Sequence, residues 1–198
     1  MKSLFSAVAL SLSLVSPVVA FAAETAEVGK PAPAFTLKDE SGKEHSLAQY
    51  KGKVVVLEWT NPGCPFVQRH YTANTMQKTF GGYDAKKVVW LAVDSTATNA
   101  PDKSAAWKKE KGFTYPVLQD PSGQVGKQYA AKTTPHMYVI DAQGVLRYAG
   151  AIDDDPRGNK AAGTPTNYVK GAVDALLSGK PVPSATTEAY GCSVKYKS

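Results

Sequence analysis

The sequence contains two thiols, Cys64 and Cys192, and Cys64 stands where a thiol would be reactive. It follows a hydrophobic, strand-like run and precedes the expected start of a helix, in the segment NPGCPFVQRH. The free N–H groups and the dipole of a helix N-terminus favour an anion, so we expect a lowered thiol pKa and a nucleophilic thiolate. A dithiol enzyme usually carries its second cysteine three residues later, but Val67 occupies that position. The only other cysteine is Cys192.

Two interpretations of the cysteine pair remain open. In the first, Cys64 attacks a disulfide or reduces a hydroperoxide, and Cys192 resolves the mixed disulfide or sulfenic acid that forms. In the second, the two cysteines form a permanent structural disulfide, which an exported protein can keep. We predict a Cys64–Cys192 disulfide in the oxidised protein, which in the chain-entropy model stabilises the fold by about 4–5 kcal/mol.

A lone carboxylate lies close to Cys64 in the sequence. Glu58 precedes it by six residues, within the otherwise apolar run KVVVLEW. Burying a charged group is costly, so a carboxylate in such a strand needs a reason. Either Glu58 takes part in chemistry, or its side chain reaches solvent at the edge of a sheet.

The other polar residues give no metal-binding pattern. His70, six residues past Cys64, points away from the thiol on a helix, whereas His136 follows Pro135 and is expected nearer the site. No spacing of histidine and cysteine matches a known metal site. The acidic run at 153–155 lacks the glycine and the distal glutamate of a calcium loop, which favours a polar surface loop. We expect neither a metal nor a bound cofactor.

The elements that must position these residues follow from the apolar pattern. Two runs rich in β-branched residues, 53–59 and 87–95, are typical of strands covered on both faces. Further strands are expected around a turn at Ser41-Gly42, at 115–120, and in a hairpin at 136–141 and 144–150. Helices are expected at 65–80, 102–111 and 122–131, and a last one carries an apolar face at Val169, Ala172, Val173, Leu176 and Leu177.

The ends of the last helix are marked by residues typical of helix caps. Thr164 or Thr166 can cap its start, and Gly179 and Pro181 mark its end. The order of elements is βαβ, further helices, a hairpin and a closing helix, which predicts an α/β fold with a mixed central sheet and helices on both faces. We expect a single domain over 23–198, with an irregular tail at 181–198.

The N-terminal segment is typical of a signal peptide. It begins with Lys2, continues with an uncharged apolar stretch, and ends in Ala20-Phe21-Ala22. We expect residues 1–22 to be removed, so that the protein is soluble in a periplasm or outside the cell; the alternative is a retained membrane anchor. The formal net charge of +6 is spread along the chain, which indicates no dedicated nucleic-acid surface.

Several motifs together resemble a known superfamily. The strand VVVLEW, the Cys-Pro at the next helix start and the segment TTPHMYVID resemble the thioredoxin superfamily. Residues 28–180 follow its redoxin (AhpC/TSA) branch, which includes the peroxiredoxins and the exported TlpA/ResA-type proteins. The segments NPGCPFV, AIDDDP and YGCSVKY resemble a peroxiredoxin-like group of bacterial redoxin-domain proteins.

The resemblance implies roles for particular residues. It implies a thioredoxin-like fold in which Glu58 is buried beneath Cys64 and exchanges protons with it. It also implies a cis Thr134–Pro135 peptide bond facing Cys64. Thr134, Pro135 and Pro65 would then border a groove in which an extended thiol substrate pairs with the backbone before the proline.

The resemblance leaves the reaction open. Peroxiredoxins place Thr or Ser three residues before the reactive cysteine, where this chain has Asn61, and they place Arg where it has Pro135. The expected activity is therefore thiol-disulfide exchange or peroxide reduction, with a thiol or disulfide protein or a small hydroperoxide as partner. A non-catalytic binding module with a structural disulfide is the alternative, and the sequence does not set the oligomeric state.

Overall fold

The computed structural model describes residues 25–197, so the expected signal peptide lies outside the described residues. The strands are β1 (Thr36–Asp39), β2 (Glu44–Ser46), β3 (Val54–Trp59), β4 (Val88–Asp94), β5 (Val117–Gln119), β6 (Thr133–Thr134), β7 (His136–Ile140), β8 (Leu146–Gly150) and β9 (Cys192–Ser193). The α-helices are α1 (Pro65–Thr72), α2 (Thr75–Gly81), α3 (Pro101–Lys111), α4 (Gln124–Gln128) and α5 (Tyr168–Leu177), and a 3-10 helix spans Leu47–Tyr50. Within this part of the chain, no helix combines the length and the apolar character needed to cross a membrane.

Seven strands form one mixed sheet in the order β2-β1-β5-β4-β3-β7-β8. The central strand β3 runs parallel to β4 and antiparallel to β7, with Glu58 opposite Ala92 on one side and Met137 on the other. All six residues of β3 are buried, as its nearly unbroken apolar run predicted. The carboxyl end of this strand leads directly to Cys64.

The two faces of the sheet carry separate hydrophobic clusters. Since side chains alternate along a strand, Val54 and Val56 of β3 face one cluster, with Cys64, and Val55 and Trp59 face the other. Helices α1, α2, α3 and α5 cover the first face and α4 covers the second. The prediction of a mixed sheet between helical layers is therefore confirmed, and Glu58 shares its face of β3 with the Cys64 cluster.

The helix boundaries differ from the predicted ones where a residue adopts a left-handed conformation. The predicted helix at 65–80 is interrupted at Asn74 (φ 58°), a residue type that tolerates this region. The helix predicted at 122–131 is shortened to α4, between Gly123 (φ 69°) and Ala130 (φ 50°). The last helix is capped by the side chain of Asn167 rather than by a threonine, and Leu177 is 43% exposed.

The segment after α5 has little regular secondary structure, but backbone hydrogen bonds hold it against the domain. We call residues 181–197 the C-terminal arm. Within the arm, β9 pairs antiparallel with β6, so that Cys192 stands opposite Thr134. Further along, the backbone of Val194 donates to Lys132 and that of Lys195 accepts from Ala97. The arm thus closes over the end of the sheet from which Cys64 projects.

Candidate redox site

Cys64 is the N-cap of α1 and is almost fully enclosed. Its backbone is extended (φ −84°, ψ 123°), and its side chain is 2% exposed. The turn before it is fixed by Asn61, whose carbonyl accepts from the Cys64 N–H at 2.9 Å and whose Oδ1 accepts from Gly63 at 2.8 Å. Pro65 occupies the first helical position on the exposed side of the turn. The sequence thus places the thiol at the helix start that the pattern predicted.

The second thiol lies against the first. Cys192 is half-buried, and its Sγ is 2.7 Å from that of Cys64. This separation is longer than a disulfide bond of about 2.05 Å, and both cysteines are free. Sequence reasoning expected the pair to meet, and the arm brings the two sulfur atoms together across 128 positions of the chain.

The two thiols differ in acidity. Burial raises the pKa of Cys64. Hydrogen bonds with Cys192, with Thr134 and with the backbone N–H of Val67 lower the pKa, and together they outweigh the effect of burial. The pKa of Cys64 therefore ends below its usual value. Burial and the bond to Cys64 raise the pKa of Cys192 to about 11. Cys64 is therefore the more acidic of the two thiols, and Cys192 keeps its proton at neutral pH.

The backbone before Pro135 lies beside the thiols. The Thr134–Pro135 peptide bond is cis, as the sequence predicted. The Thr134 carbonyl oxygen is 3.0 Å from the Sγ of Cys64, so a protonated Cys64 donates to it. The family resemblance implies that this backbone pairs with an extended substrate, but in this structure β9 of the arm pairs with it. The predicted groove residues Thr134 and Pro135 are thus gathered at the site, with the protein's own Cys192 in front of them.

Glu58 is buried within the sheet, so the alternative that it reaches solvent at a sheet edge is wrong. It is 0% exposed, and its Oε2 accepts from Tyr71 Oη at 3.0 Å and from Trp90 Nε1 at 2.9 Å. Its Oε1 has no partner among the described residues. Burial raises the pKa of Glu58 to about 7, although both hydrogen bonds oppose the shift. A carboxyl with this pKa can take up or release a proton near neutral pH.

The partners of Glu58 extend into a line of hydroxyl groups that the sequence did not reveal. Tyr115 donates to the hydroxyl of Tyr71 at 2.8 Å, and Tyr71 donates to Glu58. Burial raises the pKa of both tyrosines well above the usual value, so they remain donors. The apolar pattern assigns these aromatic residues to the core, and no local spacing indicates that their hydroxyls converge on one carboxylate.

A second buried polar cluster holds the arm just before Cys192. Nε2 of His70 lies 3.0 Å from the hydroxyl of Tyr190, and that hydroxyl donates to Asp153. Burial lowers the pKa of His70 to about 4, although the nearby Asp153 carboxylate opposes the shift. His70 therefore points away from the thiols, as the helix geometry predicted, but it contacts the arm that carries one of them.

The acidic run at 153–155 is not the polar surface loop that the sequence predicted. Asp153 and Asp155 are 5% and 9% exposed. Asp153 accepts from Tyr190 and from the backbone N–H of Asp155, and Asp155 accepts from the N–H groups of Asn159 and Lys160. These carboxylates are buried because backbone and side-chain donors satisfy them.

His136 does not approach the thiols. Its Nδ1 lies 3.0 Å from the hydroxyl of Tyr138, which belongs to the cluster on the other face of the sheet. Burial lowers the pKa of His136 to about 4. Between residues 25 and 197, no three His, Cys, Asp or Glu side chains are grouped so that they could hold a metal ion.

Comparisons with known proteins agree with this geometry. Residues 28–149 match the model of the AhpC/TSA family. A Mycobacterium tuberculosis protein whose name assigns it to the peroxiredoxins is 33% identical over 131 residues, 64% of this chain and 78% of that protein. The thiol-disulfide oxidoreductase ResA of Bacillus thuringiensis is 30% identical over 121 residues, 61% of this chain and 68% of ResA.

Among solved structures, a hypothetical protein from Sinorhizobium meliloti is similar over nearly the whole described chain. The TM-score is 0.74 at 26% identity, and the match covers 88% of this chain and 97% of that one. The fold is thioredoxin-like. The likeness extends beyond the residues that the family model matches.

Proposed function

Because the chain belongs to the AhpC/TSA family of redoxin proteins, we propose that it is a thiol-disulfide oxidoreductase with Cys64 as nucleophile and Cys192 as resolving thiol. The observation that carries this proposal is the 2.7 Å separation of two free sulfur atoms whose pKa values are shifted in opposite directions. One thiol is prepared to attack, and the other is held beside it in the protonated state.

The first step is an attack on a substrate disulfide. The Cys64 thiolate forms a bond to one substrate sulfur, the substrate S–S bond breaks, and the second substrate sulfur leaves as a thiolate that takes up a proton. The Val67 N–H at the start of α1 stabilises the Cys64 anion before the attack. The product is a mixed disulfide between Cys64 and the substrate.

The second step releases the substrate. Cys192 must first lose its proton, because only the thiolate attacks. Its sulfur then bonds to that of Cys64, the mixed disulfide breaks, and the reduced substrate leaves. Glu58 is the acceptor that we assign to this proton, since its pKa of about 7 lets it gain and return a proton at neutral pH. The protein ends with a Cys64–Cys192 disulfide, which an external dithiol must reduce for another cycle.

Peroxide reduction is a second candidate, favoured by the enclosure of Cys64. A side chain that is 2% exposed beneath a docked arm admits a small hydroperoxide more readily than a protein disulfide. Attack of the thiolate on the peroxide would give a sulfenic acid and release water or an alcohol. Cys192 would then displace water from the sulfenic acid and form the same disulfide.

We also propose that the protein is exported. Residues 1–22, with Lys2, an apolar stretch and Ala20-Phe21-Ala22, support a cleavable signal peptide, and residues 23–198 would then form one exported domain. In a periplasm or outside the cell, the oxidised pair can persist until a partner thiol protein reduces it. Pro65, on the exposed side of the site, and Thr134 with Pro135 would border the surface that such a partner meets.

The deciding experiment measures the release of thionitrobenzoate when the reduced mature protein reacts with dithiobis(nitrobenzoate). We expect two equivalents of thionitrobenzoate per protein and a Cys64–Cys192 disulfide by mass mapping of the non-reduced protein. The Cys192→Ser variant should release one equivalent and stop as a mixed disulfide. Turnover on insulin, or on hydrogen peroxide, with excess dithiothreitol then separates the two reactions. A pair that forms the disulfide but resists dithiothreitol and turns over neither substrate would indicate the structural disulfide of a binding module instead.

A further inference from the structure

Gly191, the residue before Cys192, touches the backbone of the redox site. Its φ is +143°, and a Cβ built on it would lie 2.1 Å from the carbonyl oxygen of Thr134 and 2.7 Å from the carbonyl carbon. Both atoms belong to the backbone beside the cis bond to Pro135, whose nitrogen would be 3.2 Å from the same Cβ. Since neither group is the end of a flexible side chain, any residue but glycine must push the arm away from Thr134.

The displaced atoms would carry the second thiol with them. Cys192 follows Gly191 directly and stands opposite Thr134 in the pairing of β6 and β9. The carbonyl of Thr134 also lies 3.0 Å from the Sγ of Cys64. One carbonyl group therefore sets the distance of both sulfur atoms, and an arm lifted from it by about 1 Å would move Cys192 out of reach, because attack needs near contact between the reacting atoms.

The arm also packs against glycines at a point C-terminal to Cys192. The ring of Tyr196 lies against Gly123 and Gly126, where an added Cβ would come within 2.5 Å and 2.6 Å of its atoms. The Tyr196 hydroxyl donates to the carbonyl of Ala131 at 2.8 Å. Lys127 lies over the ring at 5.8 Å. Without side chains at the two glycines, the ring can sit directly on the start of α4 and pin the end of the arm.

From these contacts we propose that Gly191 and Tyr196 are positioning residues for the resolving step: together they seat the arm so that the Cys192 sulfur meets Cys64. The proposal rests on the function proposed above. Gly191 sets how closely the arm approaches the site, and Tyr196, five residues later, keeps it there. Neither residue takes part in bond breaking, so the first attack by Cys64 depends on them only through the hydrogen bond between the two thiols.

The experiment separates the two steps in the full mature chain. Reaction of the reduced protein with dithiobis(nitrobenzoate) releases one equivalent of thionitrobenzoate when Cys64 attacks and a second when Cys192 resolves the adduct. For Gly191→Ala we expect the second release slowed at least about tenfold. The first release should change much less, because uncovering Cys64 speeds the attack while losing the hydrogen bond with Cys192 slows it. Gly163→Ala is the matched control: Gly163 has φ +81° with nothing within 4 Å of an added Cβ, so both rates should stay native.

Tyr196→Ala gives an independent test that removes contacts without adding a clash. It should also slow the second release and spare the first. Gly123→Ala should slow the second release in the native background and add no further slowing to Tyr196→Ala, because the three atoms nearest its added Cβ all belong to the ring that the variant lacks, and the backbone strain at φ +69° is the same in both backgrounds.

The outcomes distinguish this inference from the proposed function. If the native protein releases one equivalent only, Cys192 does not resolve Cys64 and the proposed function fails. If the native protein releases two but Gly191→Ala and Tyr196→Ala resolve at the native rate, the function stands and the positioning roles are wrong. Should Gly191→Ala not fold, the Tyr196→Ala result decides.

Discussion

His70 Nε2 and the hydroxyl oxygen of Tyr190 lie 3.0 Å apart, so helix α1 binds the C-terminal arm two residues before Cys192. The same helix carries Cys64 as its N-cap. Helix α1 therefore carries Cys64 at its start and, six residues later, binds through His70 the part of the arm that precedes Cys192. The geometry of the pair depends on a buried polar contact as well as on β pairing.

Removing the Tyr190 hydroxyl should weaken the arm. Tyr190→Phe leaves buried polar groups of His70 and Asp153 without this partner, which we expect to cost about 1–3 kcal/mol in the free energy of unfolding. Urea unfolding of the reduced protein measures the loss, and the second release of thionitrobenzoate should slow with it. Tyr83→Phe is the control, because Tyr83 donates to Asp174 at 2.8 Å, away from the arm: it should lower stability without changing that release. Equal effects of both variants on the release would contradict the anchoring role.

Acid should destabilise the protein through His70. Because its pKa is lowered from 6.5 to about 4, the unfolded state binds more protons between these values. The stabilisation is therefore present above pH 6.5 and is lost as the pH falls toward 4. Replacement of His70 by Gln removes this titration, so the variant should lose less stability than the native protein between pH 6.5 and 4. A native pH profile in His70→Gln would show that the histidine is not buried in its neutral form.

Glu58 should give a pH dependence of the opposite sign. Its pKa is raised from 4.5 to about 7, so the native state binds more protons and its stabilisation is lost as the pH rises through 7. Glu58→Gln resembles the protonated form, and at pH 8 its free energy of unfolding should exceed the native value by on the order of 2–3 kcal/mol. Urea unfolding at pH 5 and pH 8 checks this, and the difference between the proteins should shrink to about 1 kcal/mol or less at pH 5, where the unfolded state is only partly protonated.

The same variant should be a poorer catalyst. Without a proton acceptor of neutral pKa, the resolving step of Glu58→Gln should slow near pH 7 and lose the part of its pH dependence that Glu58 provides. Rapid-mixing measurement of the second thionitrobenzoate release from pH 6 to pH 9 tests this. A pH–rate profile identical to the native one would refute the proton-transfer role and leave Glu58 as a structural partner of Tyr71 and Trp90.

The acidity of Cys64 should depend on Cys192. Since the hydrogen bond with Cys192 helps to lower the pKa of Cys64, Cys192→Ala should shift the pH midpoint of Cys64 alkylation upward. Cys192→Ser keeps a donor and should shift it less. Iodoacetamide labelling followed by mass spectrometry gives both midpoints, and a lower midpoint in Cys192→Ala than in the native protein would overturn the assignment.

The sequence predicted the central elements and the first half of the site. Strands β3 and β4 are nearly continuous apolar runs, so their position in a covered sheet follows from their composition. The position of Cys64 at a helix N-terminus follows from the strand-to-helix turn. Glu58 could be singled out because a carboxylate interrupts an apolar strand. In each case the signal is local, and the structure agrees.

What escaped prediction depends on distant contacts. β9 is only two residues long, too short for a local strand signal, and it exists because β6 offers it a partner. The contact of His70 with Tyr190 joins residues 120 positions apart, and the burial of Asp153 follows from that contact. The break at Asn74 is local but weakly signalled, since asparagine also occurs inside helices.

The hydrogen bond from the Trp90 indole to Glu58 gives the molecule an optical probe at its centre. Because the indole N–H points at a carboxyl that titrates near neutral pH, the electric field on this ring changes whenever Glu58 gains or loses its proton. Replacing Trp59 and Trp107 with phenylalanine would isolate the fluorescence of Trp90. That fluorescence would then follow the protonation state of Glu58 in real time and without a label.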